Sequence, residues 1–112
     1  MAERTVRDVT LWASKSAENE YGIILGSAYC ARAREWMFYI LFGAGTSAGA
    51  ITIESAHDET FSGTWAAQGS VVSWAAASRV HTVGLTGAFK CLRARISTAI
   101  VGGTASAFVV GN

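Results

Sequence analysis

Hydrophobic residues in this chain come in short runs, separated by glycine, serine and charged residues, and no proline interrupts any of them. This punctuation predicts β-strands, because a helix would need a sustained 3.6-residue apolar period. The clearest run is Glu35 to Phe42, where Trp36-Met37-Phe38-Tyr39-Ile40-Leu41-Phe42 are all large and apolar. The chain then passes through Gly43-Ala44-Gly45-Thr46-Ser47-Ala48-Gly49 and resumes as Ala50-Ile51-Thr52-Ile53-Glu54. Aromatic and β-branched segments flanking a glycine-rich turn predict a β-hairpin. The same pattern predicts further strands at Val9 to Ser14, Tyr21 to Leu25, Thr64 to Gln68, Val80 to Leu85, Phe89 to Ser97 and Thr104 to Val110. With Glu35 to Phe42 and Ala50 to Ser55 these make about eight strands, an all-β antiparallel sandwich. Gly69-Ser70 reads as the end of the fifth strand, and Gly102-Gly103 as the turn between the last two. Tyr29 to Arg34 reads as the lead into the third strand, and Val71 to Ser78 is ambiguous, with Ala75-Ala76-Ala77 readable as a helical turn or a loop. Met1 to Asp8 is charged and reads as a flexible arm (residues 1–8) ahead of a single sandwich domain (residues 9–112).

Alternation assigns faces. In the seventh predicted strand Leu92, Ala94 and Ile96 point one way and Cys91, Arg93 and Arg95 the other. In the fourth, Ile51 and Ile53 oppose Thr52 and Glu54. The expected core therefore holds Leu92, Ala94, Ile96, Ile51, Ile53, Phe38 and Ile40, with Trp36 on the same face as Phe38. The third strand is apolar on both faces, since Met37, Tyr39 and Leu41 lie opposite Trp36, Phe38, Ile40 and Phe42. One small sandwich has one interior, so the second apolar face is expected to be covered by another subunit.

At 112 residues the chain supports one core, and its 15% charged content is low for a globular domain. That shortage of charge also points to a partner or an oligomer. A formal net charge of +1 supplies no basic footprint for nucleic acid. The stretch from Trp36 to Ile53 lacks charge, but its glycines and central turn argue against a membrane-spanning helix. Glu3, Arg4, Arg7 and Asp8 stand where the apolar core of a secretory leader would lie. Cys30 and Cys91 sit among what look like ordinary strand residues and read as free, buried thiols.

Candidate chemistry is sparse. Ser55, His57, Asp58 and Glu59 are adjacent in one polar loop, where their side chains diverge, whereas a nucleophilic triad must converge from a fixed scaffold. His81 is the other histidine, and no spacing ties it to that loop as a metal ligand. No nucleophile elbow, zinc-protease or phosphate-loop motif is present, so the chain reads as a non-enzyme with no catalytic residue, cofactor or metal. Arg93 and Arg95, with Lys90 nearby, make a basic stripe on one strand face. It is either a solvated face or a docking stripe for acidic side chains. Trp65, beside a polar loop in Gly63-Thr64-Trp65, reads as an edge or interface residue.

The series Val9-Thr10-Leu11-Trp12-Ala13-Ser14, Gly63-Thr64-Trp65 with Gly69-Ser70, Val83-Gly84-Leu85-Thr86-Gly87, Phe89-Lys90-Cys91-Leu92-Arg93-Ala94-Arg95, Gly102-Gly103-Thr104 and Val109-Val110-Gly111-Asn112 resembles small structural proteins of tailed bacteriophages. The resemblance spans most of the chain from Val9 onward. It implies a jelly-roll β-sandwich serving as a cement or decoration protein on the capsid exterior, bound to the major capsid protein and made in the host cytoplasm. Proteins of this sort often bridge neighbouring capsomers as dimers. Their loop between the fourth and fifth strands is usually glycine- and aspartate-rich, and Ser55 to Gly63 departs from that. On this reading Arg93 and Arg95 contact the partner, Trp65 anchors, and the arm carrying Arg4 and Arg7 acts as a strap. A tail or head-fibre subunit is the alternative within the same class. A carbohydrate-binding module in host attachment is the alternative from another, and would need two aromatics exposed together. A small hydrolase built on His57 and Asp58 is the weakest reading.

Overall fold

The structure is a computed structural model and describes residues 6–76 and 78–112. Its elements are β1 (Val6–Lys15), a single helical turn α1 (Ser27–Cys30), β2 (Glu35–Phe42), β3 (Ala48–Ala56), β4 (Ala66–Ser73), β5 (Val80–Thr86), β6 (Cys91–Val101) and β7 (Ala105–Gly111). They form two antiparallel sheets, β1-β7-β2-β5 and β4-β3-β6. The described residues are thus nearly all β and form a two-layer sandwich of seven strands.

The pairings are nested. β1 pairs with β7, β2 with β5 and β3 with β4. The segment 16–25 runs antiparallel along β6, through Asn19 N–H to Ile96 O (2.7 Å), Ile96 N–H to Glu20 O (2.9 Å) and a reciprocal pair between Leu25 and Leu92. First with last, and so inward, is how a long antiparallel ribbon rolls into a jelly-roll sandwich.

The predicted strand at Tyr21 to Leu25 is therefore reduced to one bridge, Leu25 to Leu92. The reason is a change of partner. Ile23 N–H donates to Leu11 O of β1, in one sheet, while Leu25 bonds to β6, in the other. Gly22 lets this crossing approach β1, since a Cβ there would collide with the Leu11 carbonyl. A segment that bridges two sheets cannot sustain a ladder in either.

The predicted hairpin is also corrected. β2 and β3 lie in different sheets, so the Gly43–Ser47 connection crosses the sandwich instead of reversing within a sheet. The Gly102-Gly103 turn does the same between β6 and β7. The two crossings pack against each other, with Gly43 N–H donating to Thr104 O (2.7 Å) and Ser47 N–H to Val101 O (2.8 Å). Gly45 and Gly102, at φ +87° and +85°, meet backbone to backbone, where a Cβ on either would strike the other's carbonyl.

Smaller differences follow from local geometry. β1 starts at Val6, paired with Gly111, so the last three residues predicted for the arm belong to the sheet. Residues 1–5, including Arg4, lie outside the described residues. β4 continues through Gly69, which takes φ +71° at a register irregularity against β3 instead of ending the strand. Cys30 falls in the α1 turn and not in a strand. All seven residues expected in the core are buried, as is Trp36, and they pack with Leu11, Leu25, Phe42, Ala107 and Val109 between the sheets.

Candidate functional site

The two sheets present very different outer faces. On β4-β3-β6, cross-strand register sets Glu54 of β3 opposite Arg93 of β6, and Thr52 opposite Arg95. Alternation points all four away from the core. Arg93 Nε donates to Glu54 Oε1 at 3.0 Å, and Arg95 Nε donates to Oε2 at 3.0 Å, with Arg95 Nη2 ion-paired to the same oxygen at 2.9 Å. Arg95 Nη1 also donates to Asn19 Oδ1 at 2.8 Å. One carboxylate thus neutralises one of two guanidinium charges and leaves a net positive cluster.

This cluster is roofed by the loops. The guanidinium of Arg93 lies between two rings, 4.2 Å from the centroid of Trp65 and 4.4 Å from that of Tyr21. Cation–π contacts of this kind strengthen as water is removed. The Trp65 indole N–H is fixed to Phe61 O at 2.9 Å. Gly63 admits the fold of this loop, since a Cβ there would meet the Phe61 ring. The Glu54 side chain is consequently 5% exposed although it lies on an outer face. Beside the cluster a groove of about 510 Å³ is walled by residues from Phe61 to Trp65 and by Tyr21 and Asn19.

The expected docking residues therefore sit differently from the exposed stripe that the sequence suggests. Trp65 is buried as the underside of the roof, and Arg93 and Arg95 are pinned by an internal carboxylate. The structure joins these three, while Arg7 is a position of β1 in the other sheet. Sequence reasoning missed Glu54, Tyr21 and Asn19 as members of the site. Glu54 carried a usable signal, being placed outward by alternation, because opposite charges favour cross-strand pairs. Nothing in the sequence indicated that β3 and β6 are neighbours.

The polar loop does not assemble an active site. The Ser55 hydroxyl accepts from Gln68 Nε2 at 3.0 Å, the His57 ring meets Phe61 at a tilt of 57° with centroids 5.0 Å apart, and His81 contacts Ser78 O and lies T-shaped to Phe42 on another strand. The Thr60 backbone N–H, aided by its hydroxyl, holds the Asp58 carboxyl below its ordinary range. No group of three or more His, Cys, Asp or Glu side chains suited to a metal occurs among the described residues. Cys30 and Cys91 are free and buried. Burial, reinforced by the neighbouring Cys91, pushes the Cys30 thiol up to about 11, and burial likewise raises Cys91. Neither is set up as a nucleophile.

The outer face of β1-β7-β2-β5 has no such roof. Met37, Tyr39 and Leu41 of β2 and Val80 of β5 are 38%, 40%, 36% and 54% exposed. Thr10 and Phe108 join Tyr39, Leu41 and Val80 around a shallow groove of about 550 Å³. Among the outward positions of β2, β5 and β7 the single charge is Glu35, at one end of β2. No helix among the described residues is long and apolar enough to cross a membrane. In comparisons with known proteins the chain matches no family model, no curated protein and no solved structure.

Proposed function

We propose that this protein is a non-enzymatic structural subunit of a bacteriophage virion, a cement protein that binds the shell of major capsid protein from outside and acts as an oligomer. The observation that carries this reading is the open face built by β7, β2 and β5, whose outward positions carry a single charge, Glu35. A sheet needs only one apolar face to fold, and Met37, Tyr39, Leu41 and Val80 supply a second. Full burial of such side chains is worth roughly 1.5–3 kcal/mol each, so covering the exposed part contributes on the order of 1 kcal/mol apiece. A rigid β scaffold with apolar surface held in reserve and few charges to desolvate suits permanent assembly. The jelly-roll wrap is compatible with this, being common in viral capsid and lectin domains, although a fold alone does not set function. The sequence resemblance described above points the same way, and a tail or head-fibre subunit would use the same face.

The test is reconstitution. Particles lacking the protein are mixed with wild type or with the Tyr39→Glu, Leu41→Glu double variant, and occupancy and heat resistance are measured. Wild type should bind and raise heat resistance, and the folded variant should do neither. Wild-type behaviour of that variant would remove the assignment. A second reading, glycan binding in host attachment, draws on Tyr21 and Phe61, which are 43% and 37% exposed and line one groove. Binding of the isolated chain to host surface polysaccharide would favour it.

A further inference from the structure

The groove on the opposite sheet contains a guanidinium that is positioned but not fully used. Arg95 is consumed internally, with Nε and Nη2 on Glu54 and Nη1 on Asn19. Arg93 gives only Nε to Glu54, and its two terminal nitrogens meet no acceptor among the described residues. Its central carbon lies over both rings, 4.4 Å from the centroid of Tyr21 and 4.2 Å from that of Trp65, and its Nε is tied to Glu54, so these three contacts restrict the swing of the free N–H groups. The Arg93 side chain is 11% exposed and lies in the groove walled by Ser62 and Thr64.

We infer that this groove is a receptor for a carboxylate presented by an acidic side chain of a partner protein, gripped by the terminal edge of Arg93. Guanidinium and carboxylate match as planar, two-point partners, and the cluster keeps one uncompensated positive charge to attract an anion. Holding the fork between two rings removes rotamer entropy that binding would otherwise cost. The recess selects a projecting side chain over a flat surface. A sugar ring is disfavoured because Trp65 is buried and Arg93 already covers one face of both Tyr21 and Trp65. The site stands on this geometry alone. That its acidic partner belongs to the capsid shell rests on the function proposed above.

The experiment follows the Arg93 Nε–H and Trp65 indole N–H signals by NMR in the isolated full-length chain at low salt. Three probes are titrated: glutamate blocked at both ends, the equivalent blocked glutamine, and glucuronic acid. Blocked glutamate should give saturable shifts at both signals and blocked glutamine none. Added salt should weaken the response, since exposed charge pairs are screened within about 10 Å at 0.1 M. Arg93→Lys keeps the charge but loses the fork, and should reduce affinity about tenfold or more, equivalent to at least about 1.4 kcal/mol. The comparison of glutamate with glutamine on wild type stands even if the variant fails to fold. Equal response to both, no response to either, unchanged affinity in folded Arg93→Lys, or tighter binding of glucuronic acid than of glutamate would each overturn the inference. No capsid enters this measurement, so its failure is separate from failure of the reconstitution.

Discussion

The outer face of β4-β3-β6 is charged and roofed, whereas the outward positions of β7, β2 and β5 are open and carry a single charge, Glu35. On the first, one carboxylate and two guanidiniums are shielded by Trp65 and Tyr21, so the chain itself completes the layer above the sheet. On the second, the chain leaves Met37, Tyr39, Leu41 and Val80 without a covering layer. The contrast separates two uses of a sheet surface. A charge cluster kept from water must be closed by its own protein, because an unpaired buried charge is costly in every state. An apolar patch is tolerated in the free chain and stabilises whatever covers it.

The largest effects should come from removing what the chain has already buried. Phe38→Ala should lower unfolding stability by about 3–5 kcal/mol in urea titration. Tyr39→Ala, one residue along on the open face, should change it by less than about 1 kcal/mol. Similar losses from the two would erase the distinction between the faces of β2. Glu54→Gln should cost about 3 kcal/mol, since it leaves two guanidiniums facing each other, one of them Arg93 at 11% side-chain exposure. Arg95→Ala should cost about 1 kcal/mol or less, because that side chain is 24% exposed and part of the pair energy is already screened.

Self-association sharpens the comparison from the other side. In sedimentation, the Tyr39→Glu, Leu41→Glu variant should shift any oligomer toward monomer with its melting temperature nearly unchanged, and the roofed face should not respond to such changes. The smallest effect concerns the thiols. Cys91 projects from the same side of β6 as Arg93 yet is 1% exposed, and its thiol donates to Ala56 O at 3.0 Å, so alkylation should be slow in the folded chain and fast once urea unfolds it. The folded thiol pKa of Cys30 is raised from 9.0 to about 11, so the native state holds its proton longer than the unfolded chain. Its contribution is full below pH 9 and is lost as pH rises toward about 11. Stability in urea titrations should be flat up to pH 9 on this account and then fall. A rise over that range would contradict burial of Cys30.

Within single strands the sequence by itself determined a great deal. The bounds of β2, the inward set Trp36, Phe38, Ile40 and Phe42, and the opposed sets on β6 all follow from a two-residue period and a need to bury one face. The second apolar face of β2 was legible for the same reason. What only the tertiary structure decided is which strands meet. Gly43 to Gly49 reads equally well as a hairpin turn or as a crossing between sheets, since glycine permits both and the choice depends on the neighbouring crossing at Gly102. The basic stripe was visible, but its carboxylate is 39 residues away at Glu54, and its aromatic roof comes from two further segments. The burial of Trp65 was not legible, because exposure of a loop tryptophan depends on how the loop folds back. Local pattern reports the face a side chain takes on its own strand, whereas contact between distant strands is set by the closure of the whole sandwich.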